Sequence, residues 1–205
     1  MANRSDPDIH HRCSLRLKGY DYSQAGAYFI TICTHGRECL LGDLSDGVMR
    51  LNEYGNIVRD EWLKTGKIRH NVVMDEFVIM PNHIHGIIII TDHRRGDRPV
   101  APTPEPIPAS GPKPKSIGSF IAGFKSTVTK QVNELRGAPG AKLWQRNYYE
   151  HVIRDEDDLN RIRQYILDNP ARWAKDENNP DRLGQLVNVR IESTSPWSLQ
   201  GRIGD

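Results

Sequence analysis

The apolar positions of this chain change period several times, and each change marks an element. Residues 27–34, Ala-Tyr-Phe-Ile-Thr-Ile-Cys-Thr, are rich in aromatic and β-branched side chains and predict a strand. Residues 40–44 and 48–51, joined at Ser45-Asp46-Gly47, predict a hairpin. Asn52 can cap a helix running to about Thr65, with Ile57, Val58, Trp62 and Leu63 on its apolar face. Residues 72–80 are again strand-like, and Pro81-Asn82 turns the chain into residues 83–91, whose run Gly86-Ile87-Ile88-Ile89-Ile90 reads as a buried strand. These two strands are expected to pair antiparallel.

Helical period returns at Ser116, a good N-cap, with Ile117, Phe120, Ile121, Phe124, Val128 and Val132 three and four apart, and ends near Gly137. Residues 144–153 predict a short final strand. Asp155-Glu156-Asp157-Asp158 then opens a helix with acids at its positive end. Its stripe of Leu159, Ile162 and Ile166 is expected to pack on the sheet, leaving Tyr165 and Asn169 to reach the sheet's edge. The order β, hairpin, α, β, β, α, β, α lacks regular βαβ alternation and predicts an α+β fold, a mainly antiparallel sheet with helices against it.

Between Pro99 and Pro114 seven of sixteen residues are proline, which removes backbone donors and disfavours helix and central strand. The expected organisation is a flexible basic arm at 1–19, one domain at 20–175 with a Pro-rich insert at 96–115, and a polar tail at 176–205. In that tail only Leu183, Leu186, Val187, Val189 and Ile191 suggest local structure.

A length of 205 residues with 37% hydrophobic content, and a mean hydropathy of −0.61, fits one soluble globular domain. No apolar run approaches the roughly 20 residues of a membrane span. The first residues, with Asp6, Asp8, His10 and His11, lack a signal-peptide core, so a cytoplasmic protein without membrane contact is expected. Cys13, Cys33 and Cys39 include no Cys-x-x-Cys pair, which argues against a disulfide framework or zinc ribbon. A net charge of +2 announces little, but the cations are uneven. Arg4, Arg12, Arg16 and Lys18 mark the arm. Lys115, Lys125 and Lys130, with Ser126, Thr127 and Thr129, lie on or immediately before the predicted helix that starts at Ser116, and Lys142 and Arg146 follow it. Such a face suits a DNA backbone, or is simply solvated.

His83 and His85 are two apart on a predicted strand and point the same way. They form half of a metal site, or a pair of ordinary histidines where the strand enters the sheet. Tyr165 and Asn169 are four apart on a predicted helix, hence on one face. The amide oxygen of Asn169 can serve a hard cation and the phenol of Tyr165 can serve as nucleophile; alternatively Tyr165 is a core aromatic and Asn169 a helix C-terminal residue before Pro170.

Together, His83-Ile84-His85 and Tyr165 followed by Asn169 resemble the HUH-type single-tyrosine transposases, which cut and rejoin single-stranded DNA, and the match is nearest to their REP-associated branch. The resemblance covers roughly residues 14–175. It includes Gly26-Ala27-Tyr28-Phe29-Ile30-Thr31-Ile32-Cys33-Thr34, Met80-Pro81-Asn82-His83-Ile84-His85-Gly86, and the run from Leu143-Trp144-Gln145-Arg146 through Asn147-Tyr148-Tyr149-Glu150 to His151-Val152-Ile153-Arg154. It implies a ferredoxin-like sheet with the histidines on a central strand and the tyrosine on a helix alongside. It also implies a 5′-phosphotyrosine intermediate on Tyr165, Mg²⁺ or Mn²⁺ held by His83, His85 and Asn169, and a hairpin-forming single-stranded DNA substrate taken by a monomer or homodimer. Lys125, Lys130, Arg146 and Arg16 are the expected phosphate contacts.

The chemistry suits these residue types. A tyrosine ester keeps the energy of the broken phosphodiester, so a 3′-hydroxyl can reverse the cut without ATP. Phenol has a pKa near ~10, so the charged form must be favoured or the transition state stabilised, and a divalent cation does both as Lewis acid and template. Tyr148 and Tyr149 compete poorly for the role, because their i+4 positions hold Val152 and Ile153. His151 reads as structural. A histidine-triad hydrolase would need a histidine at Ile87, and a two-motif phosphoesterase would need a second His-x-Ser/Thr strand. A zinc deaminase would need Cys-x-x-Cys. Two rivals remain: a domesticated, non-cleaving binder of REP-like hairpins, and a general single-strand nuclease using the same residues without joining.

Overall fold

The computed structural model describes residues 20–91, 112–175, 179, 189–195 and 198–203. The basic arm with Arg16, most of the Pro-rich insert and much of the tail lie outside the described residues.

Four strands form the main sheet in the order β4-β5-β1-β6, every pair antiparallel. They are β1 (Gly26–Cys33), β4 (Val72–Met80), β5 (His83–Ile90) and β6 (Tyr149–Ile153). With α1 (Glu53–Ile68) between β1 and β4, and α2 (Ile117–Leu135) between β5 and β6, the chain traces the ferredoxin-like βαββαβ path and the fold is α+β. A small hairpin, β2 (Gly42–Ser45) and β3 (Val48–Leu51), precedes α1, and α3 (Glu156–Asp168) follows β6. The helices start where the sequence offers side-chain acceptors. Asn52 accepts from the amides of Tyr54 and Gly55, Ser116 from Ser119, and Asp155 from Asp158.

Two boundaries differ from expectation. Residues 144–153 do not form one strand: Trp144 makes an isolated bridge to Thr34, and β6 begins only at Tyr149. The Gln145 and Asn147 carbonyls instead accept hydrogen bonds from the Lys125 ammonium, which ties this stretch to α2 and out of the ladder. Within the segment expected as a polar tail, β7 (Val189–Ser195) and β8 (Ser198–Ile203) form an antiparallel pair.

Strand alternation divides the core in two. Tyr28, Ile30 and Ile32 of β1 and Ile84 and Ile88 of β5 face α1 and α2, where Trp62, Phe120 and Phe124 complete a fully apolar layer. Gly86 is required there, since a Cβ on it would overlap the Trp62 ring. Phe29, Ile87 and Ile153 face the other way and pack on Ile162 and Ile166 of α3. His83 and His85 share the parity of Ile87, so they lie on the face that α3 covers. No described helix is long and apolar enough to cross a membrane.

Candidate active site

The two histidines open β5 and are buried, His83 at 0% and His85 at 3% exposure. Their Nε2 atoms lie 3.0 Å apart. Burial, with the nearby Arg37 charge adding to it, pushes the His83 pKa down to about 3, which keeps its imidazole neutral. The neighbours also set the tautomer. Asn82 donates its Nδ2 to the Arg37 carbonyl, so its Oδ1 faces His83 and accepts from Nδ1–H at 2.9 Å. His83 Nε2 therefore carries a lone pair. Thr31 stands directly opposite His85 across the β1–β5 ladder, and its hydroxyl is 2.8 Å from His85 Nδ1. Phe29 stacks on the His85 ring with centroids 5.4 Å apart.

The tyrosine comes from α3. Tyr165 Oη is 3.3 Å from His85 Nε2, and the two rings lie 5.2 Å apart. Four residues on, Asn169 caps the helix and is 1% exposed. A further four on, Trp173 in the 3-10 turn Pro170–Lys175 lies 5.9 Å from the His83 ring. Tyr165 thus sits above a central strand instead of the sheet's edge, and Asn169 is interior. The reason is α3's diagonal path, from Ile153 at the end of β6 to an anchor on β4.

That anchor is Arg163, whose Nε and Nη2 reach the Asp75 carboxylate at 2.9 and 2.6 Å. The bidentate hydrogen bonds hold the Asp75 carboxyl below its ordinary value. Asp75 points at α3 because it alternates with Val73 and opposes Ile87; the register with β5 then shifts between Met74 and Phe77, which turns Phe77 to the other face, against Trp62. At the other end of the helix, His151 Nε2 is 2.8 Å from Asp158 Oδ2, joining β6 to α3's first turn.

The residues fit a divalent cation. Two buried imidazoles, that of His83 neutral, present Nε2 toward one another while Nδ1 is engaged by Asn82 or Thr31, the arrangement of histidines that serve as ligands. Their 3.0 Å separation is what two donors at right angles adopt around an ion with bonds of ~2.1 Å. Among the described residues no three His, Cys, Asp or Glu gather. A third protein donor would therefore be an amide or phenol oxygen, a choice that favours a hard ion over zinc.

The basic face is elsewhere. Lys125 Nζ bonds the carbonyls of Gln145 and Asn147 at 2.8 and 3.0 Å and lies over the Tyr148 ring, and burial pulls its pKa down to about 8. Lys130 is exposed and 3.9 Å from Glu134. These two, with Lys142 and exposed Arg146, line a cavity of about 890 Å³ between α2 and the segment after it. Sequence reasoning missed Thr31, Asn82, Phe29 and Trp173. The first three lie inside the quoted motifs; the roles of Thr31 and Phe29 follow from cross-strand register, and that of Asn82 from its bond to the Arg37 carbonyl.

No family model matches the chain. Two solved structures resemble it weakly. A REP-associated tyrosine transposase bound to a REP hairpin has a TM-score of 0.48 and 19% identity over 77% of this chain and 74% of that one. A candidate transposase of Deinococcus radiodurans has a TM-score of 0.36 and 19% identity over 75% and 95%. An uncharacterized Haemophilus influenzae protein is 41% identical over 179 residues, spanning 86% of this chain and 98% of its own. With that identity and coverage, the chain belongs to the same family as the Haemophilus influenzae protein.

Proposed function

We propose that the protein is a metal-dependent DNA transposase or endonuclease that binds hairpin-forming single-stranded DNA and cuts and rejoins it through Tyr165. The observation that carries this reading is the 3.3 Å approach of the Tyr165 hydroxyl to His85 Nε2, itself 3.0 Å from His83 Nε2. A phenol brought to a pair of buried imidazoles is poorly explained as packing, because Tyr165 remains 38% exposed.

In this reading His83 and His85, with Asn169, hold Mg²⁺ or Mn²⁺. The bound ion supplies Lewis-acid stabilisation of charge on the scissile phosphate. Tyr165 Oη forms a bond to phosphorus, the bond from phosphorus to the 3′ oxygen breaks, the phenolic proton passes to solvent and the departing oxygen takes one up. The 5′-phosphotyrosine retains the bond energy, and attack by another 3′-hydroxyl regenerates Tyr165. Asn82 and Thr31 fix the imidazole planes, and Phe29 and Trp173 shield them from water.

The test uses labelled single-stranded oligonucleotides from the hairpins flanking the gene, with Mg²⁺, Mn²⁺ or chelator. Cleavage that needs the ion and vanishes in Tyr165→Phe supports the reading. Tight hairpin binding without cleavage in either metal overturns it in favour of the non-cleaving binder; cleavage without joining favours the nuclease.

A further inference from the structure

The face of the sheet that carries the histidines is only partly under α3. The helix contacts Ile153 at one end of β6 and then crosses toward β4, whereas Thr31, Cys33 and Tyr149, at the other end of β1 and β6, border a cavity of about 470 Å³. A second cavity of about 630 Å³ lies toward His151, Arg161 and Arg172. Phe29, Tyr149 and Tyr165 line both. The two cavities adjoin at these three rings, Tyr165 among them, and are taken together as one groove.

Tyr149 occupies the junction. It is paired with Thr31 in the ladder, which places it on the histidine face, and it is 43% exposed although its ring contacts Phe29 at 6.2 Å edge to face. It is not the nucleophile of the proposed reaction, and a large aromatic on an uncovered sheet face lowers no folding free energy by being exposed. The rest of the groove carries polar and charged side chains. Arg37, Gln145 and Asn147 line one half; in the other, Arg161 is paired with Asp158 and Arg172 with Asp168. An aromatic platform between two cavities that hold arginine and amide side chains matches an unpaired nucleic-acid strand, with phosphates at the arginines and a base against the ring.

We infer that Tyr149 is a base-stacking platform for the unpaired nucleotide next to the phosphate that Tyr165 attacks, so that the groove carries the single strand on both sides of the cut. The inference rests on the transposase reading and adds to it a substrate-contacting residue. Amides of Gln145 and Asn147 are placed to meet the edge of that base.

The experiment uses full-length protein carrying Tyr165→Phe, which keeps the DNA intact, and a hairpin oligonucleotide from the gene's flank. 2-Aminopurine is substituted at each unpaired position in turn. One position should be quenched on binding. Tyr149→Ala should abolish that quenching and weaken binding about five- to 150-fold, the range that losing one stacked base produces, while Tyr149→Phe should retain both. Thermal melting of Tyr149→Ala checks the fold. Unchanged quenching and affinity in Tyr149→Ala, with wild type still cleaving, overturns the platform alone. Failure of every form to bind DNA overturns the transposase reading and the platform with it.

Discussion

The two faces of the four-stranded sheet are made by alternate residues of the same strands, yet one is sealed and the other is partly open and carries the paired histidines. On β1, Tyr28, Ile30 and Ile32 go to the α1–α2 side and are wholly buried among Trp62, Phe120 and Phe124. The intervening Phe29, Thr31 and Cys33 go to the α3 side, where Thr31 bonds His85 and the layer opens into a groove. Two helices cover one face; a single helix, crossing diagonally, covers part of the other. The sealed face supplies the apolar burial that allows the opposite face to hold two desolvated imidazoles and a half-exposed phenol, groups that contribute little to folding.

Substitutions should separate the two faces. Trp62→Ala, on the sealed face, should cost about 3–5 kcal/mol in urea unfolding, since it empties the centre of the aromatic layer. Gly86→Ala should cost about 1–3 kcal/mol by driving a Cβ into the same ring. On the open face, His83→Ala or His85→Ala should abolish ion-dependent cleavage while moving the urea midpoint less than Trp62→Ala does. An equal loss of stability from both faces would break the comparison.

The link between faces and helix is the Asp75–Arg163 pair. Arg163 holds the folded Asp75 carboxyl below its unfolded value, so the pair stabilises the docked helix above about pH 4, and the stabilisation fades as pH falls through the folded value. Amide chemical shifts around Arg163 in α3, titrated from pH 6 to pH 3, should report this, and Asp75→Asn should reduce the dependence there, leaving the part that comes from Asp158 in the helix's first turn. Asp75→Asn should also slow cleavage on the order of tenfold, because Tyr165 lies two residues from the anchor. Asp75→Arg combined with Arg163→Asp should restore part of the rate. The smallest effect on stability is expected from Thr31→Val, which removes the hydrogen bond to His85 Nδ1. It should cost about 1 kcal/mol of stability and weaken ion binding about 10- to 100-fold, measurable by titration calorimetry.

Local pattern carried much of this structure. The strands on both sides of Pro81-Asn82, the capped helices and the shared face of His83 and His85 follow from spacing alone, because periods of 2 and 3.6 are written into consecutive residues. Tyr165 and Asn169 were legible by the same rule. What spacing does not contain is tertiary placement: that Thr31 would face His85 depends on how β1 pairs with β5, and that Asn82 would turn its Oδ1 to His83 depends on the Arg37 carbonyl in the turn after β1. Nor does it contain the long-range pairing of Arg163 with Asp75 that carries the tyrosine over a central strand. The strand expected from residue 144 failed for a related reason, since Lys125, twenty residues earlier, takes up the carbonyls of Gln145 and Asn147. Lys125, expected as a phosphate contact, has its ammonium turned to those carbonyls.

The central claim is that Tyr165, held beside His85, is the nucleophile. Wild-type protein is incubated with its hairpin substrate and Mn²⁺, digested, and the DNA-linked peptide identified by mass spectrometry. The account predicts a 5′-phosphorylated nucleotide on the peptide containing Tyr165, and no adduct in Tyr165→Phe. An adduct on Tyr148 or Tyr149, or one that persists in Tyr165→Phe, would contradict it.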